Sequence, residues 1–298
     1  MSATGRPQTP AMTNPRADRV RDVAKLAGRP VRLRQNRFLA EGPQAAREAL
    51  RLHLARVRGG GPGVIEELFA TGECVERYPE LAEGIQPRLV THEVLAAMSS
   101  TVTPQGVIAV CANIDVSLDH VLESRPRLIA VMVEVRDPGN AGTILRAADA
   151  AGADAVIFTA SSVDIYNPKA VRSTAGSLFH LPVVHGVALD ELMPRLRAAQ
   201  IAVLAADGYG DVDLDSLQDQ SARRRLVTSS SDSTGDNAAL LEAPTAWLFG
   251  NEAQGLAPDV VESADHRVAV PIYGQAESLN VGTAATVCLY ASARAQRT

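Results

Sequence analysis

The stretch VRDPGNAGTILRAADAAGA, Val135–Ala153, decides how the chain is read. It follows an apolar run of strand length, LIAVMVEV, and opens a helical pattern. A glycine-bearing turn between a strand and a helix is a common cradle for phosphates and nucleotides. A dinucleotide fingerprint, however, needs G-x-G-x-x-G and an acid at the tip of the next strand to hold the ribose. Here two residues, not one, separate Gly139 from Gly142, the next glycine is Gly152, and the following strand ends AVIFTASS without an acid. The nicotinamide-dehydrogenase reading fails on both counts. What remains is Asn140, a good N-cap type at the expected helix start, and Arg146, the one cation in a helix of mostly Ala, Ile, Leu and Gly. Taken alone, Arg146 reads equally well as an arginine on an exposed helix face.

Working outward, AVIFT, LPVVHGV, IAVLAAD, TAWLFG and HRVAVPI are apolar runs without alternation. Such runs suit a parallel sheet covered on both faces. Helical stretches lie between them, and in ALDELMPRLRAAQ the residues Leu189, Leu192, Met193 and Leu196 share one face. The pattern predicts a doubly wound α/β domain over residues 128–298. A Ser-, Asp- and Gly-rich stretch near 219–243 breaks the rhythm and is expected as a mobile surface insertion. Residues 1–15 are expected as a disordered tail. Residues 16–113 comprise a basic N-terminal extension and a small α/β domain, with a helix from about Pro43, where proline suits the first helical position. Residues 114–127 read as a linker.

Composition narrows the function classes. The 298 residues are 46% hydrophobic, ordinary for a globular protein. No apolar run reaches the length that spans a bilayer, and the N-terminus has no apolar signal region. Cys74, Cys111 and Cys288 are few, odd in number and far apart. They suggest neither a disulfide framework nor a metal site, and they suit a reducing cytoplasm. The net charge of −5 argues against a nucleic-acid partner, but its distribution does not. Between Arg16 and Arg58 stand twelve Lys/Arg and four acids. Such a patch is the footprint of phosphate-backbone contacts; a solvated basic helix is the competing explanation, since Phe38 is the only ring in the stretch.

Two later stretches change the odds for Arg146. LFGNEAQGLAP, Leu248–Pro258, is a strand running into a Gly-Asn-Glu turn, and VPIYGQAESLNVGTAATVCLYA, Val270–Ala291, is a strand, a loop and a small-residue helix. Together the three stretches resemble the signature motifs of the SpoU (TrmH-like) RNA ribose 2′-O-methyltransferases of the SPOUT superfamily. The first is similar to N-x-G-x-x-x-R, here Asn140, Gly142 and Arg146. The second is similar to G-x-E-x-x-G-L, here Gly250, Glu252, Gly255 and Leu256. The third is similar to P-x(n)-S-L-N-V, here Pro271 and Ser278, Leu279, Asn280, Val281. The resemblance covers roughly residues 125–296. It extends to FLAEGPQAAREAL and VTPQGVIAV, which are similar to the L30e-like RNA-binding domain of many members. Within the family the chain is most similar to ribosomal RNA enzymes of the thiostrepton-resistance type.

The resemblance implies a SPOUT-type knotted α/β methyltransferase domain preceded by an L30e-like α/β RNA-binding domain, acting as a homodimer. It implies S-adenosylmethionine as cofactor, bound largely by backbone groups, with Leu248, Gly250, Asn251, Glu252, Ile272, Ser278, Leu279 and Asn280 as the cofactor set. Asn140, Arg146, Glu252, Ser278 and Asn280 are the implied catalytic set. The implied reaction methylates a ribose 2′-hydroxyl, most fittingly in 23S ribosomal RNA. The alternatives are a transfer-RNA enzyme or a knotted RNA-binding protein without catalysis. Arg37, Lys169 and Arg172 read as phosphate contacts, against the simpler explanation of a solvated helix face. Two roles have structural rivals: Ser278 as the N-cap of the last helix, and Glu252 as an acid in a helix's first turn.

Overall fold

A computed structural model of the chain describes residues 12–226 and 239–297. The chain packs as two units. The first runs to Ile114 and takes in Asp164–His180; the second is Asp115–Val163 together with the chain from Leu181 on.

The first unit contains α1 (Asp18–Ala24), α2 (Arg29–Gln35), β1 (Arg37–Glu41), α3 (Pro43–Arg58), β2 (Ile65–Ala70), α4 (Gly72–Arg77), β3 (Arg88–Leu89), α5 (His92–Met98) and β4 (Val107–Ala112). Its sheet has the order β1-β4-β2-β3, with β4 antiparallel to both neighbours. Leu39, Phe69, Ile108 and Val110 from the strands pack with Val94, Leu95 and Met98 of α5. Val20, Val23 and Leu26 complete that core. The basic extension is therefore part of the unit rather than an addition to it, because its apolar residues recur at helical spacing and fill the sheet's face. The expected disordered tail also ends earlier than residue 15. The Met12 N–H donates to the Leu89 carbonyl at 2.8 Å, extending the edge of β3; residues 1–11 lie outside the described residues.

A buried ion pair secures the returning segment to this unit. Arg32, 2% exposed, donates from Nε and Nη2 to Asp164 Oδ2 at 3.0 and 2.8 Å. Its Nη1 donates to the carbonyls of Leu26 and Ala27 at 2.9 and 2.6 Å. The Phe38 ring packs on Tyr166, centroids 4.6 Å apart. The Tyr166 hydroxyl accepts from the Ile114 N–H at 2.8 Å.

In chain order there follow α6 (Leu118–Glu123), β5 (Leu128–Met132), α7 (Pro138–Ala151), β6 (Ala155–Thr159), α8 (Pro168–Ser173), β7 (Val183–Val187), α9 (Leu189–Ala198), β8 (Ala202–Ala206), β9 (Val212–Asp213), α10 (Leu214–Leu226), β10 (Thr245–Phe249), α11 (Pro258–Ser263), β11 (His266–Ala269) and α12 (Val281–Gln296). All but α8, which belongs to the first unit, build the second. Its sheet has the order β7-β6-β5-β10-β8-β11-β9, and every pairing is parallel. The expected doubly wound α/β domain is what forms, for the expected reason: its strands are buried apolar runs.

The order of insertion matters for the site. The chain winds outward from β5 to β6 and β7, crosses to β8 and β9, and then places β10 between β5 and β8 and β11 between β8 and β9. The loops after β5, β10 and β11, which carry the three motifs, therefore leave one edge of the sheet. Ligands of open α/β sheets bind at that edge, beside the point where strand order reverses.

Two expected boundaries shift. The segment read as a linker folds into α6, whose Leu118 and Val121 enter the core of the second unit. The expected insertion begins inside α10. Arg224 donates from Nε and Nη2 to the two oxygens of Glu242 at 3.1 and 3.0 Å, tying its ends together. Residues 227–238 of it lie outside the described residues.

α12 lies against α7 and β10. The Trp247 ring is fully buried, and its Nε1 donates to Ser292 Oγ at 2.9 Å. A Cβ on Gly282 would stand 2.9 Å from Thr143 Cγ2. The small residues of α12 thus allow a close helix–helix approach within the chain.

Candidate active site

The three loops meet through one chain of hydrogen bonds. Glu252, on the loop after β10, accepts from the backbone N–H of Arg136 at 3.2 Å and of Asp137 at 3.0 Å. Its Oε1 also accepts from Asn140 Nδ2 at 3.2 Å. Asn140 Oδ1 in turn accepts from Asn280 Nδ2 at 3.0 Å. Asn280 Oδ1 accepts from the N–H groups of Gly282 and Thr283, capping α12. One residue from each motif thus takes part, and each asparagine uses both ends of its amide.

Each position has a local cause. Asp137 caps α7 by accepting from the Asn140 N–H at 2.9 Å, and Pro138 takes the first helical position. The expected N-cap role of Asn140 is thereby corrected: it lies inside the first turn, which frees its side chain to face the other loops. The Asp-Pro pair is a start signal that could have placed the cap from sequence. The N-cap of α12 is likewise Asn280, not Ser278. Glu252 does not sit in the first turn of α11; it satisfies N–H groups of the turn that leads into α7.

The loop after β10 is built by its motif residues. Asn251 and Gly255 exchange backbone hydrogen bonds, both 2.9 Å. Gly255 is left-handed at φ +69°, and a Cβ on Gly250 would stand 2.3 Å from the Gly255 carbonyl carbon. Both glycines are required by the hairpin itself. Asn251 Oδ1 accepts from the N–H of Ala253 and Gln254, and its Nδ2 donates to the Glu134 carbonyl at 3.1 Å. The Asn251 side chain therefore fastens the loop to the turn after β5. Glu134 is itself left-handed, φ +57°, an uncommon state for a residue with a side chain.

The electrostatics follow. Burial pushes the Glu252 carboxyl up, but the N–H donors of Asp137 and Arg136 and the Asn140 amide hold it below the usual carboxylate range. It is ionised at neutral pH. Arg146 is exposed on α7, and among the described residues no hydrogen bond or ion pair engages its guanidinium. Ser278 is exposed in the irregular stretch before α12, likewise without a hydrogen bond among the described residues. α7 thus carries a fixed polar network in its first turn and an exposed, unengaged cation further along. That arrangement can orient a hydroxyl and hold an anion; among the described residues no cluster of metal-ligating side chains occurs.

The remaining expected site residues divide. Leu248 is fully buried on β10, paired with Val131 and Ala205, so only its backbone faces an edge. Ile272 and Leu279 are 38% and 37% exposed. Arg37, Lys169 and Arg172 lie in the first unit. There Arg37 pairs with Glu66 at 2.6 Å, and Arg172 Nη1 reaches Glu41 Oε2 and Ser100 Oγ, both at 2.7 Å. Lys169 stands in the first turn of α8.

A parallel α/β sheet with three interlocked loops at one edge defines a class of nucleotide-handling domains. Comparison with known proteins specifies it. The model of the SpoU rRNA Methylase family matches residues 127–290, and that of the MRM3-like substrate binding domain matches residues 17–109. The 23S rRNA (guanosine(2553)-2′-O)-methyltransferase RlmP of Bacillus subtilis is 34% identical over 276 residues, which cover 91% of this chain and 94% of that protein. Among solved structures, the AdoMet-bound rRNA methyltransferase from Sinorhizobium meliloti superposes with a TM-score of 0.74 at 26% identity, covering 96% of this chain and 97% of the other. The SpoU methyltransferase AviRb from Streptomyces viridochromogenes, in complex with AdoMet, gives 0.73 at 27% identity over 94% and 98%. The chain belongs to the SpoU rRNA methylase family.

Proposed function

We infer that this protein methylates a ribose 2′-hydroxyl of RNA, with S-adenosylmethionine as methyl donor and 23S ribosomal RNA as substrate. The observation that carries the reading is the Glu252–Asn140–Asn280 chain, which locks the three motif loops together at the start of α7, the helix that also carries Arg146. The names of the relatives support the substrate class, and AdoMet in two structural neighbours supports the donor.

The residues present fit the donor. Ile272 and Leu279 leave apolar surface exposed on the loop before α12, suited to a purine or an aliphatic chain. The loops at the ends of β10 and β11 offer backbone groups for polar recognition, from Leu248, Gly250, Asn251 and Ile272 to Leu279. When bound, S-adenosylmethionine supplies an electrophilic methyl group on a sulfonium. This chain's own residues position the acceptor. The Arg146 guanidinium clamps the phosphate beside the target ribose, a bidentate task that its geometry favours. As a guanidinium it serves as clamp rather than as base, and it favours the developing alkoxide. Asn140 and Asn280 hold the ribose edge, Ser278 lies beside the reacting hydroxyl, and Glu252 fixes the loops. Alignment of this kind supplies several kcal/mol, up to about 7–11 in well-oriented reactions.

The first unit presents the RNA-binding surface, with an L30e-like fold and with Arg37, Lys169 and Arg172 as phosphate contacts. The late placement of β10 and β11 supports a knotted C-terminus. Val287 and Tyr290, exposed on α12, support a homodimer. A reducing compartment, the cytoplasm, suits three free thiols.

The test is transfer of labelled methyl to unmodified ribosomal RNA, mapped by primer extension at low nucleotide concentration. A single stop resistant to alkaline cleavage is expected. Transfer only to transfer RNA would overturn the substrate. Donor binding without transfer to any RNA would overturn the enzymatic reading.

A further inference from the structure

The first unit contains a cavity of about 490 Å³, within the range of small-ligand pockets. Its wall is made by Arg47 of α3, Cys74 and Arg77 of α4, Tyr78 and His92, and it closes against the Gln105–Gly106 turn.

Three features give this cavity a chemical character. The first is an aromatic flanked by cations. The Tyr78 ring is half-buried, with the guanidinium carbons of Arg47 and Arg77 at 5.7 and 5.4 Å from its centroid. Arg47 is fixed by Glu80, which accepts from its Nε at 3.1 Å and its Nη2 at 2.8 Å. Arg77 is exposed and makes no ion pair among the described residues, so its charge is open to an anion. The second feature is an uncharged floor. Cys74 is buried and its Sγ lies 3.8 Å from the Gln105 carbonyl; burial pushes its thiol up, so it stays neutral. The floor is shaped by Gly106, left-handed at φ +86°, where a Cβ would stand 2.8 Å from Cys74 Cβ. The third is a pair of hydrogen-bonding side chains in the lining, the Gln105 amide and the His92 imidazole. His92 lies 3.5 Å from Glu73.

We propose that this cavity receives one unstacked nucleotide of the RNA substrate, its base against Tyr78 and the guanidinium planes, its phosphate at Arg77. The proposal rests on the RNA substrate inferred above and gives it a specific point of capture in the first unit. The chemistry disfavours a bare anion: Glu80 already holds Arg47, and a phosphate alone would leave the Tyr78 face and the neutral floor unused. A nucleotide uses all three features. Single-stranded RNA bases are recognised by stacking on aromatic rings and arginine planes.

The test uses the full chain with unmodified 23S ribosomal RNA. Arg77→Ala, Tyr78→Ala and Tyr78→Phe are compared with the unaltered protein for KM toward RNA, kcat, donor affinity and thermal unfolding. Loss of a stacked base weakens binding by about tenfold or more. KM is therefore expected to rise about tenfold in Tyr78→Ala and severalfold in Arg77→Ala, with kcat and donor affinity unchanged and Tyr78→Phe close to the unaltered protein. Because Tyr78 is half-buried, Arg77→Ala, at an exposed position, decides the matter if Tyr78→Ala unfolds early. An unchanged KM in Arg77→Ala, and in Tyr78→Ala where it folds, overturns the proposal. If the unaltered protein transfers no methyl, the function inferred above fails instead. Filter retention of the same RNA by the same variants then reads the cavity independently, and equal retention by all of them overturns it.

Discussion

Two carboxylates in this molecule are held by several donors each, and they are held to opposite ends. Asp164, in the first unit, is buried and takes two charged donors from Arg32, with a third hydrogen bond from the Tyr166 N–H. Glu252, in the second unit, is exposed and takes neutral donors: two backbone N–H groups and the Asn140 amide. In the first case charge cancels charge, and the pair is spent on joining distant parts of the chain. In the second the negative charge survives and the loops are fixed, while Arg146, further along α7, makes no ion pair among the described residues. Exposed polar networks that keep their charge are suited to meet a ligand; buried pairs are suited to meet each other.

The sharpest way to break this comparison is to remove one partner of the buried pair. Arg32→Ala leaves Asp164 desolvated and unpaired, which costs about 3–5 kcal/mol. A fall of that size in urea unfolding is expected, whereas Arg146→Ala leaves the unfolding curve within about 0.5 kcal/mol, as at exposed positions. Equal stability of the two variants would show that the buried pair is not what secures Asp164–His180.

The reverse holds for activity. Arg146→Ala is expected to lower kcat for methyl transfer by about 10²–10³-fold, the usual loss for one donor at a developing oxyanion. Donor affinity, read by calorimetry, is expected to stay within about twofold, because among the described residues no hydrogen bond or ion pair ties the Arg146 side chain to the other loops. A variant that remains active would remove Arg146 from the proposed clamp.

The same contrast explains what could be read in the sequence. The parallel sheet was legible because unalternated apolar runs admit few other fates. The motif residues stood out in the sequence, and Asn140, Glu252 and Asn280 do meet in one hydrogen-bonded network. Their division of labour was not legible. That Asn140 escapes the cap depends on Asp137 reaching its N–H, and that Asn280 rather than Ser278 caps α12 depends on where the helix begins, a matter of one or two residues. The basic stretch misled more. Charge counting treats Arg32 and Arg34 alike, yet one faces a buried Asp164 over a hundred residues away in sequence and the other faces solvent. Pairing across such distances leaves no local trace.

A third test follows pH. The Glu252 carboxyl is held below its ordinary value in the folded protein. A depressed pKa contributes stability that is present above the unfolded value, about 4.3, and is lost as pH falls through the folded value. Glu252→Gln removes that contribution. The unaltered protein is expected to unfold at a higher temperature than Glu252→Gln at neutral pH, and the gap is expected to close as acidification takes the medium below the ordinary carboxylate range. A gap that widens instead would mean that the network stabilises the protonated acid.

The smallest expected effect concerns the basic segment, and it separates paired from unpaired arginines. Arg19 pairs with Glu67 and Arg37 with Glu66, while Arg29 and Arg34 are exposed without an ion pair among the described residues. Removing the whole stretch would strip Val20, Val23 and Leu26 from the core, so point changes are needed. Each phosphate contact contributes about 0.7–0.9 to the slope of log affinity against log salt. Arg29→Gln with Arg34→Gln is expected to flatten that slope by about 1–2 units. Arg19→Gln alone is expected to leave it nearly unchanged, because Glu67 already neutralises the guanidinium before RNA arrives. The opposite ranking would mean that the RNA displaces Glu67, and that the ion pairs of the first unit are exchanged on binding rather than spent in the fold.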